Sequence, residues 1–149
     1  MRRELPDGYE LDDDPRRIDV AAVHAYIARE SYWGRGRSRD LTERAIGGSD
    51  RVLGLYHAGR QVGFARAITD GAIVAYLADV YVLPGHRGRG LGLELVREIV
   101  EGGGGTNVRW MLHTADAQGL YAKLGFLDSP ANPPSYPLME RARGYDSPS

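Results

Sequence analysis

The residues most able to do chemistry sit together in Val82-Leu83-Pro84-Gly85-His86-Arg87-Gly88-Arg89-Gly90-Leu91-Gly92. A strand-like run ends at a proline, a glycine-rich loop follows, and a helical pattern begins. Glycines at such a junction let backbone N–H groups converge at a helix N-terminus, an arrangement suited to holding phosphate oxygens. Arg87 and Arg89 add positive charge. The plain alternative is a glycine-rich turn with solvated arginines. Two common phosphate patterns are absent. No Gly-Lys-Ser or Gly-Lys-Thr occurs in the chain, so the P-loop fails. The dinucleotide fingerprint fails too, because its third glycine would fall at Leu93 and its ribose-binding acid near Trp110. What remains is Arg87-x-x-Gly90-x-Gly92.

Around this loop the chain reads as alternating elements. Residues 9–12 suit a short first strand, ended by Pro15. Asp19 is placed to cap a helix in which Val20, Val23, His24, Ile27 and Ala28 recur at helical spacing, ending near Glu30. Residues 34–38 break it, and Ser38 caps a second helix carrying Leu41, Ala45 and Ile46, which Gly47-Gly48 ends. Strands over 51–57 and 61–68 flank the turn Ala58-Gly59-Arg60, and Asp70-Gly71 turns into a third strand over 72–83. Leu91, Leu95, Val96, Ile99 and Val100 then define one face of a helix over 90–101, stopped by four glycines. A strand over 107–113, a short helix over 116–123 closed by Gly125, a loop over 129–135 and a last strand over 136–140 complete the reading. The expected class is α+β: a mixed, mostly antiparallel sheet with helices on both faces and a strand–helix–strand crossover at 72–113. A single domain over 1–149 is expected, with its core over 9–140.

With these elements in place, the chain resembles the GNAT superfamily of acyl-coenzyme A-dependent N-acetyltransferases. Arg87, Gly90 and Gly92 match the family's [Gln/Arg]-x-x-Gly-x-[Gly/Ala] motif between a strand and a helix. Leu120-Tyr121-Ala122-Lys123-Leu124-Gly125-Phe126 resembles its second motif, a Tyr followed shortly by Gly-Phe, and Tyr121 lies 34 residues after Arg87. The resemblance covers residues 9–140. It implies that backbone N–H groups of Arg87, Gly88, Arg89, Gly90, Leu91 and Gly92 bind the pyrophosphate of acetyl-CoA. It further implies that the edge of Val80-Tyr81-Val82 pairs with the pantetheine arm as an added strand, where two strands splay apart. Tyr121 matches the tyrosine that protonates the departing thiolate. An Asn often stands seven residues before that Tyr and touches the cofactor; here the position is Thr114.

Such a transfer needs an amine that has lost its ammonium proton, and the family often uses a Glu, Asp or His on the strand before the loop, acting through water. That strand offers Asp79 as its one carboxylate. Alternation turns Asp79 away from Ala78 and Val80, hence away from the acceptor unless a bulge re-aims it. Base, substrate anchor and structural ion pair all remain open for it. Tyr76 shares a face with Ala78 and is a candidate for the acceptor site. Glu30 and His113 are further base candidates, although a lone His near a strand end is more often simply hydrogen-bonded. By resemblance, Tyr32 and Trp33 wall the acceptor pocket, joined by Phe64, Arg66 and Tyr136.

Composition narrows the rest. With 149 residues, 42% hydrophobic and 26% charged, the chain is long enough for a self-sufficient core and unlike a disordered polymer. It has no cysteine, which removes disulfides, thiolate metal sites and cysteine nucleophiles, and no metal is expected. A net charge of −1 gives no basic field for nucleic acid or an anionic membrane. No apolar run approaches the ~20 residues of a membrane span, and no apolar segment follows the charged start, so a cytoplasmic setting is expected. The resemblance implies a small-molecule or peptide amine as acceptor and allows a homodimer. Two rivals stand beside transfer: a catalytically silent acyl-CoA-binding protein of the same fold, and a nucleotide- or nucleic-acid-binding module built on the arginine-rich loop.

Overall fold

The computed structural model describes residues 1–103, 107–128, 138–141 and 143. It divides into two compact units after Asp116. The first carries six strands in the order of the chain: β1 (Arg2–Glu4), β2 (Tyr9–Asp12), β3 (Arg51–His57), β4 (Arg60–Thr69), β5 (Val74–Val82) and β6 (Arg109–Met111). All neighbours are antiparallel except β5 and β6, which run parallel across a helical crossover. The hairpin between β3 and β4 turns on Ala58 and Gly59, both with positive φ (50° and 75°), the backbone handedness that suits tightly linked, twisted strands.

Helices α1 (Val20–Arg29), α2 (Arg39–Gly47) and α3 (Leu91–Glu101) begin close to where the sequence places them. Asp19 caps α1 by accepting from the Ala22 N–H at 3.0 Å, and Ser38 caps α2 by accepting from Leu41 at 3.1 Å. Each such cap is worth ~1 kcal/mol. Paired residues of neighbouring strands share a face, which sorts the two layers. Val52, Phe64 and Tyr81 face α1 and form a buried cluster with Ile18, Val23, Tyr26 and Ile27. Arg51 points the other way, and its guanidinium donates to the Glu98 carbonyl of α3 at 2.8 Å. There α3 buries Leu91, Leu95, Val96, Ile99 and Val100. The sheet therefore has helices on both faces.

Strand β1 was not legible in the sequence. Its residues are exposed and lack apolar alternation, and it is held by pairing with β2 and by ion pairs such as Arg2 with Glu10 at 2.6 Å. β6 is shorter than the expected 107–113. The expected last strand at 136–140 needs correction: Leu138 to Glu140 are in no strand, and the remainder lies outside the described residues, as does Tyr136. The second unit contains helix α4 (Gln118–Ala122).

Candidate active site

The loop after β5 is shaped by two left-handed glycines. A 3₁₀ turn at Pro84–His86 leads to Gly88 (φ 80°) and Gly90 (φ 76°), and Gly90 is the N-cap of α3. No atom lies within 4 Å of where a Cβ would stand at either position, so both glycines line open space. Among the described residues, no acceptor is found for the N–H groups from Gly88 to Leu93. Such unpaired donors at a helix N-terminus carry partial positive charge and suit phosphate oxygens. The charge of Arg87 is directed elsewhere. Its Nε donates to the Val82 carbonyl at 2.8 Å and its Nη2 to the Tyr26 hydroxyl at 2.9 Å, tying the loop to β5 and α1. Arg89 lies over the Tyr9 ring at 6.0 Å.

Strand β5 pairs with β6 only at Val74, Ala75 and Tyr76. Beyond Tyr76 the two strands part. Among the described residues no strand pairs with β5 on that side from Leu77 to Val82, and this open edge includes Val80, Tyr81 and Val82. The Tyr81 ring stacks on Tyr26 at 4.0 Å, and burial holds its hydroxyl well above the usual tyrosine range.

A bulge sits on the same stretch. The β4–β5 register runs Phe64↔Tyr81 and then Arg66↔Ala78, so Asp79 and Val80 together oppose Ala65. Asp79 takes φ 54°, which turns its carboxylate onto the α1 face. There Oδ1 accepts from Trp33 Nε1 at 2.8 Å, while Oδ2 accepts from Arg37 Nη1 at 2.7 Å and Arg66 Nε at 2.8 Å. Burial by itself would raise the Asp79 pKa. The hydrogen bond from Arg37 and the charges of Arg66 and Arg37 outweigh it and hold the carboxyl below its ordinary value. Trp33 and Arg37 reach this point because the loop after α1 crosses that helix closely at Gly34. A Cβ there would stand 2.3 Å from Ile27 Cγ2.

Two tyrosines make further contacts at the vertex where β5 and β6 part. The Tyr76 hydroxyl meets His113 Nδ1 at 2.5 Å. The Tyr32 hydroxyl accepts from the Ala115 N–H at 2.8 Å and donates to Asp116 Oδ1 at 3.5 Å, and its ring meets Trp33 edge to face at 5.1 Å. Tyr32, Trp33, Arg66, Tyr76 and Asp79 are thus brought into one neighbourhood. Thr114 is half-buried between His113 and Ala115. Phe64 is placed in the core with no exposed surface.

The second unit shows what its motif builds locally. Tyr121 is buried on α4, and its ring meets Phe126 edge to face at 5.7 Å. Gly125 (φ 86°) reverses the chain, and the Phe126 N–H donates to the Tyr121 carbonyl at 3.2 Å.

Comparison with known proteins decides the family. Residues 48–127 match the acetyltransferase (GNAT) domain, a span running from β3 through the glycine loop to Phe126. The chain belongs to the GNAT acetyltransferase family. It is similar to a solved GNAT-family protein from Xanthomonas campestris pv. campestris, with 37% identity, a TM-score of 0.84, and coverage of 97% of this chain and 100% of that one. A Gibberella zeae protein, whose name assigns it provisionally to the acetyltransferases, is 32% identical over 80% of each chain. A chloroplastic protein of Oryza sativa subsp. japonica named serotonin N-acetyltransferase 2 is 34% identical over 76% of this chain and 58% of its own length.

Within this GNAT chain, Arg37 is the site residue that sequence reasoning missed. It sits in a glycine-broken loop with no periodicity, and its guanidinium meets a carboxylate on the bulge 42 residues away. Among the described residues, no helix is long and apolar enough to cross a membrane, and no group of three or more metal-ligating side chains comes together.

Proposed function

We propose that this GNAT acetyltransferase is an N-acetyltransferase that moves the acetyl group from acetyl-CoA to a primary amine by direct attack in a ternary complex. The observation that carries the reading is the run of N–H groups from Gly88 to Leu93 that find no acceptor among the described residues, lined by two left-handed glycines at the N-terminus of α3. It lies at the end of the open β5 edge. The cradle fits a pyrophosphate, and the edge of Val80-Tyr81-Val82 offers strand-like pairing to a pantetheine arm. Arg87 fixes the loop, and Thr114 is assigned a cofactor contact on its motif position.

The amine attacks the thioester carbonyl, a C–N bond forms, and the C–S bond breaks. A backbone N–H near Val80 meets the developing oxyanion. The thiolate takes a proton from Tyr121, a role that rests on the Tyr-to-Gly-Phe motif. Holding both substrates in line supplies ~7–11 kcal/mol of the barrier reduction. Asp79 then serves to position Arg66, Arg37 and Trp33 around the acceptor, with Tyr32 and Tyr76 beside them. The proposal treats residues 1–149 as one GNAT-like domain.

Thermal scans and thiol-release assays test this. Acetyl-CoA at 100 times its dissociation constant stabilises the fold by ~2.7 kcal/mol, a melting rise of about 5–11 °C for a chain of this size. NAD and ATP should shift it far less. Free thiol should appear with acetyl-CoA and an amine panel that includes serotonin, polyamines and peptides. A shift without thiol release would instead support the silent acyl-CoA binder, and a larger shift with NAD or ATP would overturn the cofactor assignment.

A further inference from the structure

The cluster around Asp79 holds more positive charge than it balances. Arg37 Nη1 and Arg66 Nε donate to the same oxygen, Asp79 Oδ2, at 2.7 and 2.8 Å, while the Trp33 indole takes Oδ1. Among the described residues no other carboxylate pairs with either guanidinium, so two cations share one anion and the group bears one net positive charge. All three side chains are largely buried, and a charge shielded from water is costly unless it is paired. Each guanidinium also presents five N–H donors. Arg66 directs one more at Ser49 Oγ, 3.3 Å away, and the others find no acceptor among the described residues. The cluster borders the place where an acceptor must arrive. Asp79 directly precedes Val80 on the open edge of β5. Arg66 pairs with Ala78 and Ile68 with Tyr76, so these four residues share the α1 face of the sheet. Arg66, Tyr76 and Ala78 are half-buried and Ile68 is exposed, which leaves the sheet partly uncovered beside the guanidinium pair.

We infer that Arg37 and Arg66 are specificity-determining residues that read a compact oxyanion on the acceptor, so that the acceptor is a primary amine that also carries a carboxylate or a phosphate ester. This rests on the transfer reading above. The oxyanion supplies the counter-charge that the cluster lacks. Two of its oxygens match the spacing of N–H groups on a planar guanidinium, a pairing that is both charged and directional. A plain alkylammonium does the opposite, because it brings a second positive charge against a cluster that already has one in excess. An amine with an anionic tail arrives with its own charge balanced, and its tail is held while its nitrogen is presented at the β5 edge. Asp79 fits this arrangement as the residue that positions both guanidinium groups through a single oxygen and leaves their remaining donors unspent.

The test compares matched acceptors in the thiol-release assay with acetyl-CoA. One series is the ω-amino carboxylates from glycine to 6-aminohexanoate, together with phenylalanine. A second is O-phosphoethanolamine and its longer homologues. The third is the plain alkylamines of equal length, together with phenethylamine. At least one anionic acceptor should exceed its plain partner ~10–10²-fold in kcat/KM, chiefly through KM, and the better of the first two series names the anion. Arg37→Gln and Arg66→Gln should collapse that ratio toward one, and Arg66→Lys, which keeps the charge without the fork, should keep part of it. A purely structural role would lower both members of a pair alike and leave the ratio unchanged, which overturns the assignment. The wild-type ratio decides by itself where a substitution unfolds the protein: plain amines preferred in every pair, or acetylated alone, overturn the assignment while leaving transfer intact. Acetyl-CoA binding with no thiol released from any series overturns the transfer reading, and the anion assignment with it.

Discussion

Replacing Asp79 with Asn removes one negative charge and little else. Asn has nearly the same shape, accepts hydrogen bonds, and tolerates the left-handed backbone (φ 54°) that this position adopts. What changes is the electrostatic balance of a buried cluster. The side chains of Asp79, Arg37 and Arg66 are 5%, 8% and 15% exposed, so the substitution leaves two poorly hydrated guanidinium groups facing each other without a counter-charge. Breaking a buried pair by removing one partner destabilises by ~3–5 kcal/mol. At roughly 2–4 °C per kcal/mol for a chain of this length, the melting temperature should fall by about 6–20 °C at pH 7. Because Asn still accepts from Trp33, the lower half of that range is expected. Adding Arg66→Gln should recover part of the loss, since one fewer cation is then stranded.

The acid dependence follows from the lowered pKa of Asp79. A carboxyl whose folded-state pKa lies below its unfolded value contributes stability that is fully present above the unfolded value, ~3.9, and is lost as pH falls through the folded one. The gap between wild type and Asp79→Asn should therefore be constant near neutrality and shrink below about pH 4. Scanning calorimetry from pH 3 to 8 measures it. A variant within 2 °C of wild type at pH 7, or a gap that widens on acidification, refutes the ion-pair account. An unchanged melting curve with kcat reduced ~10²–10⁴-fold would make Asp79 the proton acceptor instead.

Two other substitutions probe the proposed cofactor chemistry. Gly90→Val places a β-branched side chain at φ 76°, in the open space above the loop, so it should abolish the acetyl-CoA melting shift while circular dichroism shows a folded protein; an unchanged affinity by calorimetry would move the cofactor elsewhere. Tyr121→Phe keeps the edge-to-face contact with Phe126 and removes the hydroxyl. Turnover should fall ~10²–10⁴-fold with acetyl-CoA affinity retained, and wild-type turnover would sink the acid role.

Much of this chain could be read from its order of residues because the signals are local. Asp19 and Ser38 announce helix starts through side chains that cap N–H groups three residues on. Leu91, Leu95, Val96, Ile99 and Val100 mark the buried stripe of α3 through a 3.6-residue period. Gly88 and Gly90 mark a left-handed loop because few other residues adopt that backbone without strain. These features depend on a few consecutive residues, so the order of elements from β2 to α4, the family motifs and the left-handed loop before α3 were legible. β1 was not, since a three-residue exposed edge strand carries no pattern of its own.

The site around the split was decided by tertiary structure. Counted from Tyr76 and Ala78, alternation turns Asp79 away from the α1 face. One extra residue in β5, accommodated opposite Ala65, reverses that and hands the carboxylate to Arg37, Arg66 and Trp33, 13 to 46 residues away in the chain. A bulge shifts a period of two by one, and a shift of one exchanges the faces of a sheet. The partnership of Tyr76 with His113 has the same character: 37 residues separate them, and the parallel pairing of β5 with β6 brings them within 2.5 Å. Sequence determined which residue types were available. The bulge and the parting of two strands determined which of them meet, because such contacts depend on the register of distant backbone, which no short run of residues encodes.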